Sequence, residues 1–257
     1  VCSSDLAVLY KKRYEKVVDQ YRTNFFDNEG NLTTQTQTAH VVSLYFNLAE
    51  EKYRAKTAKR LVELIKKENG HLVTGFVGTP YICHALSQNG YVKEAWDLLL
   101  KDDFPSWLYQ VKQGATTIWE HWDGLKPDGT MWSPDMNSFN HYAYGAIGEW
   151  LYRAAAGLEI DEKQPGYKHT IFKPLFGGDL SYAQASYESV YGKTAIHWHI
   201  DGNNGCVDIT VPVNTTASLY LEDVKNISAT DDLLFEKTAK GYKAEAGSGE
   251  YHIKFIL

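Results

Sequence analysis

The sequence predicts an α+β multidomain chain: a domain of helical hairpins followed by a C-terminal antiparallel β-sandwich. Three observations carry this. From Ala7 to about Ala156, apolar residues recur at helical spacing in several runs, joined by Gly-containing turns with no strand between them. From Tyr167 onward the period changes to two, and short alternating runs are separated by turns such as Asp201-Gly202-Asn203-Asn204-Gly205. The 257 residues are 44% hydrophobic and 14% aromatic, enough for one large domain or two smaller ones with their own cores.

Each element has its own signal. Tyr10, Tyr14, Val17 and Tyr21 mark the first helix, with charged residues between them. Phe25–Asn31 reads as a loop. Thr34–His40 is a polar turn entering a helix faced by Val41, Leu44, Tyr45 and Leu48. Gln35, Gln37 and His40 are read as caps and loop partners in preference to cleft residues. Ala58, Leu61, Val62 and Ile65 form a third helix that Asn69-Gly70 ends. Thr79-Pro80 reads as an N-cap followed by Pro at the first helical position, and Asn89-Gly90 stops that helix. Tyr91, Val92, Ala95, Trp96 and Leu99 open the next. Ala143, Ala146, Ile147, Trp150, Leu151 and Ala154 predict a long helix after His141, with Gly157 just past its end. Strands are expected around Tyr182–Ser186, Thr194–Ile200, Cys206–Val211, Ala217–Leu221 and Tyr251–Phe255. Gln164-Pro165-Gly166 marks the expected junction, dividing residues 7–163 from 164–257. Val1–Leu6 looks like the translation of a sequencing-adapter end and is set aside; on that reading part of the natural N-terminus is missing.

Composition narrows the function. The net charge is −6 and no Lys/Arg block stands out, which argues against nucleic acid or an anionic membrane as partner. No apolar run approaches ~20 residues. Cys2, Cys83 and Cys206 are dispersed and odd in number, so neither a disulfide framework nor a zinc site is expected. His197 and His199 share a strand face, but no third metal ligand is apparent. The sequence indicates neither compartment nor oligomeric state.

The chemistry concentrates in Gly114-Ala115-Thr116-Thr117-Ile118-Trp119-Glu120-His121-Trp122-Asp123-Gly124. Glu120 lies between two indoles. That suits a sugar site, where rings cover apolar C–H faces and a carboxylate moves a proton. The competing reading makes Trp119 and Trp122 core packing and Glu120 a solvated or paired carboxylate. Residues 114–134 are rich in Trp and Gly without a clear period, and a long irregular loop inside a compact domain is usually functional.

These stretches, together with Thr36-Gln37-Thr38-Ala39, Thr74-Gly75-Phe76-Val77-Gly78-Thr79 and Met136-Asn137-Ser138-Phe139-Asn140-His141-Tyr142-Ala143-Tyr144-Gly145, resemble bacterial α-L-rhamnosidases of glycoside hydrolase family 78. The resemblance runs from about Ala7 to the end and is most specific around Glu120 and His141. It implies part of an (α/α)6 barrel followed by a β-sandwich, and an inverting hydrolase that releases terminal α-L-rhamnose without a cofactor. Glu120 then matches the general base and His141 a sugar contact. Phe76, Trp119 and Trp122 are candidate walls for the sugar, and Trp132 is a further one. The family's acid glutamate lies in an earlier part of the barrel, and no stretch before Gly114 matches it. The implied partner is a rhamnose-containing glycoside, and the chain reads as a fragment with a base but no acid. Two alternatives are another (α/α)6 carbohydrate-active enzyme and a non-catalytic carbohydrate-binding or scaffolding module.

Overall fold

The computed structural model describes residues 3–230 and 232–257; Val1 and Cys2 of the suspected adapter stretch lie outside these residues. Contacts divide the chain into two compact units, one ending at Ile147 and the other Gly148–Leu257.

The first unit is helical. It contains α1 (Ser3–Phe25), α2 (Gln37–Tyr45), α3 (Glu51–Lys67), α4 (Gly75–Gly78), α5 (Ile82–Ser87), α6 (Val92–Leu99) and α7 (Trp107–Lys112). Leu44, Leu61, Ile82, Leu86, Trp96 and Leu98 are fully buried and form its core, where α2 packs on α3 and α5, and α5 on α6. Thr36 caps α2 by accepting from the Ala39 amide at 3.2 Å, so the polar turn before it is spent on a helix start. Gly70 closes α3 at φ +80°, its N–H reaching the Ile65 carbonyl at 2.9 Å, a bond that needs the left-handed turn. On α1 little is buried: Val18 is covered, whereas Val8, Leu9, Tyr10, Tyr14 and Val17 are exposed. Tyr21 and Arg22 tie this helix down through Ser43 Oγ at 2.9 Å and the Leu48 carbonyl at 2.8 Å.

Two local readings are corrected. Thr79 is not an N-cap, because the chain is already wound into helix from Gly75. Its hydroxyl donates instead to the Gly75 carbonyl at 2.6 Å, and Pro80 is tolerated at the start of the short 3₁₀ turn Thr79–Tyr81. The stretch predicted as one long helix after His141 winds three ways: 3₁₀ over Ala143–Ala146, α over Ile147–Trp150 and π over Leu151–Ala156, ending at Gly157 with φ +87°.

The second unit carries ten strands: β1 (Leu158–Ile160), β2 (His169–Phe172), β3 (Tyr182–Ser189), β4 (Gly192–Asp201), β5 (Asn204–Val211), β6 (Thr216–Glu222), β7 (Asn226–Thr230), β8 (Phe235–Thr238), β9 (Gly241–Ala246) and β10 (Gly249–Ile256). They form two sheets of order β1-β2-β6-β9-β8 and β3-β4-β5-β10-β7. Phe172, Leu219, Leu221 and Ala244 of the first sheet and Ile196, Trp198, Val207, Ile253 and Phe255 of the second share one core, as a sandwich requires. Gln164–Gly166 lies in the link between β1 and β2. The β4–β5 hairpin turns on Gly202-Asn203, with Asp201 paired to Asn204 and Gly202 at φ +56°. Pairing is antiparallel except between β2 and β6, which run parallel, with β3–β5 in the long connection that such a pair requires.

On the outer face of the second sheet, Asp208 lies between His197 at 3.3 Å and His252 at 2.5 Å, so each imidazole Nδ1 is engaged by a carboxylate oxygen. Among the described residues no group of three His, Cys, Asp or Glu could hold a metal ion. No helix is long and apolar enough to cross a membrane.

Candidate functional site

Short α7 sets up the Glu120 loop. Ser106 caps it by accepting from the Tyr109 amide at 3.0 Å, and Gly114 turns the chain at φ +81°. The side chain of Gln110, buried on this helix, then reaches the loop: its amide donates to the His121 carbonyl at 3.1 Å and its oxygen accepts from the Trp119 N–H at 3.4 Å. Residues 117–120 and 138–141 run side by side. Glu120 N–H donates to the Ser138 carbonyl at 2.9 Å, His141 N–H to the Ile118 carbonyl at 2.8 Å, and the Thr117 hydroxyl to the Phe139 carbonyl. The two stretches that carry the family resemblance therefore hold each other, and Glu120 and His141 sit on paired segments.

The two tryptophans take different places. Trp119 is 3% exposed and meets Phe139 edge-on at 5.4 Å, while a Cβ on Gly124 would come within 3.0 Å of its ring. Trp122 is 9% exposed, stacked on Tyr144 at 3.8 Å and 5°, and edge-on to Trp107 at 5.5 Å. The Trp107 indole N–H donates to the Tyr144 carbonyl at 2.9 Å. Protein groups thus already cover most of both Glu120-flanking indoles, as tight packing demands.

The open aromatic surface comes from elsewhere. Phe76 on α4 is 43% exposed, stacks on His141 at 4.7 Å and 18°, and touches Tyr144 at 5.2 Å. Its segment is braced from α2. The Thr38 hydroxyl donates to the Thr74 carbonyl at 2.7 Å, and buried Gln37 bonds the His71 carbonyl at 3.0 Å and the Val73 N–H at 2.9 Å. Gly78 leaves no room for a side chain, since a Cβ there would meet Thr74 at 2.8 Å. His141 Nδ1 accepts from the Ala143 N–H at 3.3 Å, so the neutral ring carries its proton on Nε2, a donor. Tyr142, 86% exposed, stacks on the same imidazole at 5.5 Å.

Glu120 is half-buried, and its charge, after burial, pushes the Tyr144 phenol above its usual value. Tyr144 therefore links Trp122 and Phe76, and Phe76 links to His141. Three of the sequence-predicted residues, Trp122, Phe76 and His141, are joined in this way, and Glu120 lies on the segment paired with that of His141, while Trp119 packs toward Phe139. Trp132 stacks on His121 at 3.6 Å and 11°. Sequence reasoning missed Tyr144 and Gln110 as site residues. Tyr144 stands three positions after His141 within one of the most specific stretches, so a signal existed, but its spacing also fits the buried face of a helix. Gln110 carried no local signal.

Residues 3–155 match the family described as bacterial alpha-L-rhamnosidase 6 hairpin glycosidase domain, and residues 157–232 match the bacterial alpha-L-rhamnosidase C-terminal domain. An alpha-L-rhamnosidase of Streptomyces avermitilis is 37% identical over 215 residues, 84% of this chain and 21% of that protein. One from Formosa agariphila is 34% identical over 262 residues, 96% of this chain and 28% of its own length. The chain thus spans about a quarter of these relatives. The crystal structure of the Streptomyces avermitilis enzyme complexed with L-rhamnose superposes at TM-score 0.90 and 34% identity, over 96% of this chain and 24% of that one. The native Aspergillus terreus enzyme gives 0.84 and 31%, over 97% and 28%. With a helical hairpin unit, a β-sandwich and family matches to both, this chain belongs to the bacterial α-L-rhamnosidase six-hairpin glycosidase family.

Proposed function

We propose that this chain supplies the base-bearing part of an inverting glycoside hydrolase that releases terminal α-L-rhamnose. The carrying observation is that Glu120 lies on a segment paired with that of His141, on whose ring Phe76 stacks. In this reading Glu120 takes a proton from the attacking water as its oxygen bonds to the anomeric carbon. An acid from another part of the longer polypeptide protonates the departing glycosidic oxygen. Inversion needs the two carboxyls ~6.5–9.5 Å apart so that the water fits between them. His141 donates through Nε2 to a sugar hydroxyl, and Phe76 covers an apolar C–H face of the ring. Trp122 contributes its uncovered edge and holds Tyr144. Trp119 orients the Glu120 backbone from the packed side. No step calls for a metal or an organic cofactor.

Glu120→Gln in the full-length enzyme tests this. Turnover should fall by ~10² or more, the usual contribution of a positioned base. The first-formed rhamnose should have the anomeric configuration opposite to that of the substrate when followed by NMR. Near-normal turnover would remove Glu120 from the role, and retained configuration would remove the inverting mechanism. The present chain alone should release no measurable rhamnose from an aryl rhamnoside, because it carries the base without the acid.

A further inference from the structure

Glu120 stands in a stretch, residues 115–124, that is neither helix nor strand. A carboxylate on such a loop has no ladder of backbone bonds to fix it, so its direction depends on what holds the peptides around it. The Glu120 N–H goes to the Ser138 carbonyl at 2.9 Å. On either flank, one polar group goes to the same side chain. Gln110 accepts from the Trp119 N–H at 3.4 Å through Oε1 and donates to the His121 carbonyl at 3.1 Å through Nε2. An N–H can only donate and a carbonyl only accept, so these partners fix which end of the amide is which. Trp119–His121 is thereby closed into a short span with both ends tied to a single planar amide, and Glu120 is its middle residue.

The amide is itself held firmly. Gln110 is 2% exposed, and its own backbone carbonyl accepts from the Ala115 N–H at 3.0 Å. Helix α7, which carries it, is short but anchored: the Trp107 indole reaches the Tyr144 carbonyl, and Lys112 pairs with Asp102. The neighbouring Tyr109 hydroxyl donates to the Leu125 carbonyl at 3.2 Å, just past the loop. Two consecutive side chains of α7 therefore grip the backbone of the Glu120 stretch. Burying an amide costs free energy unless both its ends are bonded, and here both bonds are spent on the residues next to Glu120.

We infer that Gln110 is a positioning residue for Glu120: it touches no reacting atom, and it aims the carboxylate by clamping the backbone on both sides of it. This rests on the proposed role of Glu120 as base. The clamp differs from packing, because the paired donor and acceptor do the aiming and the volume of the side chain does not. Met fills nearly the same space and has neither group. Glu has the shape and, when ionised, only the acceptor.

The test uses the full-length enzyme and the release of 4-nitrophenol from 4-nitrophenyl α-L-rhamnoside. Gln110→Met keeps the volume and removes both bonds. Its kcat should fall by ~10–100-fold, the usual result of a misplacement of about 1 Å, while KM stays close to its starting value because His141 and Phe76 are untouched. Added to Glu120→Gln, the same change should cause no further loss, since no base remains to be aimed. Equal losses with and without Glu120, or an unchanged kcat where Glu120→Gln is impaired, overturn the positioning role. Gln110→Glu serves should Gln110→Met not fold. Its carboxyl, when protonated, both donates and accepts; when ionised, it only accepts and repels the His121 carbonyl. Its deficit relative to the unmodified enzyme should therefore deepen as pH rises, and a deficit constant across pH overturns the clamp. If Glu120→Gln leaves turnover near normal, the base reading falls and takes this inference with it.

Discussion

The sandwich and the helical unit treat their apolar residues differently. In the sandwich, Trp198, Phe172 and Phe255 are almost wholly buried between two sheets, and the Trp198 N–H reaches the Ala155 carbonyl at 2.9 Å. In the helical unit, α2, α3, α5 and α6 bury their stripes, yet α1 leaves Val8, Tyr10, Tyr14 and Val17 in solvent. Two facing sheets complete a core from one continuous stretch of chain. A hairpin helix has two sides to cover, and its inner neighbour covers one.

Four measurements would break or sharpen this contrast. The largest effect is expected from Trp198→Ala, which empties the middle of the sandwich and should cost ~3–5 kcal/mol in its calorimetric transition. A loss below 1 kcal/mol would mean that the sheets close over the gap, and that their core is less tightly specified than its burial implies. Next comes Gln37→Leu. It strands the His71 carbonyl and the Val73 N–H and should cost ~1–3 kcal/mol. In the full-length enzyme it should also raise KM, because Phe76 loses its brace; an unchanged KM would separate the brace from the site.

A pH effect follows from His40. Burial holds this imidazole below its usual value of 6.5, with Arg60 adding to the effect and a bond to the Thr36 carbonyl opposing it. The folded chain keeps the ring neutral while the unfolded chain takes up a proton below about pH 6.5, so the unfolded state binds more protons there. Stability of the helical unit should therefore fall as pH drops below that point, and His40→Gln should flatten the fall. An identical slope in urea midpoints for the two proteins would exclude His40. The smallest effect is Val8→Ser on the open face of α1, expected to stay within ~0.5 kcal/mol. A larger loss in the present chain would show that this face is covered in solution, erasing the contrast.

The cysteines follow the same division of buried from open. Burial pushes the Cys83 thiol up to about 12, so it should resist alkylation at pH 8 in the native protein and react only on unfolding. Modification at a rate equal to that of free cysteine would show that α5 opens readily.

Much of this was legible in the sequence for physical reasons. Helical periodicity in residues 41–99 and alternation in 194–211 record which side of each element faces a core, and these elements stand close to where the pattern placed them. The short strands β1, β2, β7 and β8 went unread because three to five residues give alternation too little length to register. Their pairing comes from neighbours: β2 lies beside β6 although three strands stand between them in the chain. The Thr79 reading failed for a related reason. A cap is defined by where the helix begins, and Gly75 moved that point four residues earlier.

At the site the same limit holds. The sequence by itself singled out the Glu120 loop, the His141 stretch and the family, because these rest on residue types in fixed local order, and the pairing of the two stretches came only with the structure. It could not divide the aromatics by role. Trp119 and Trp122 flank the carboxylate in sequence, but Gly124, Phe139 and Tyr144 come back from elsewhere and cover them, whereas Phe76 and Trp132 stay open. Local order sets which side chains are available. Exposure is a property of everything packed around a ring, so only the tertiary structure decided which of them are open to a ligand.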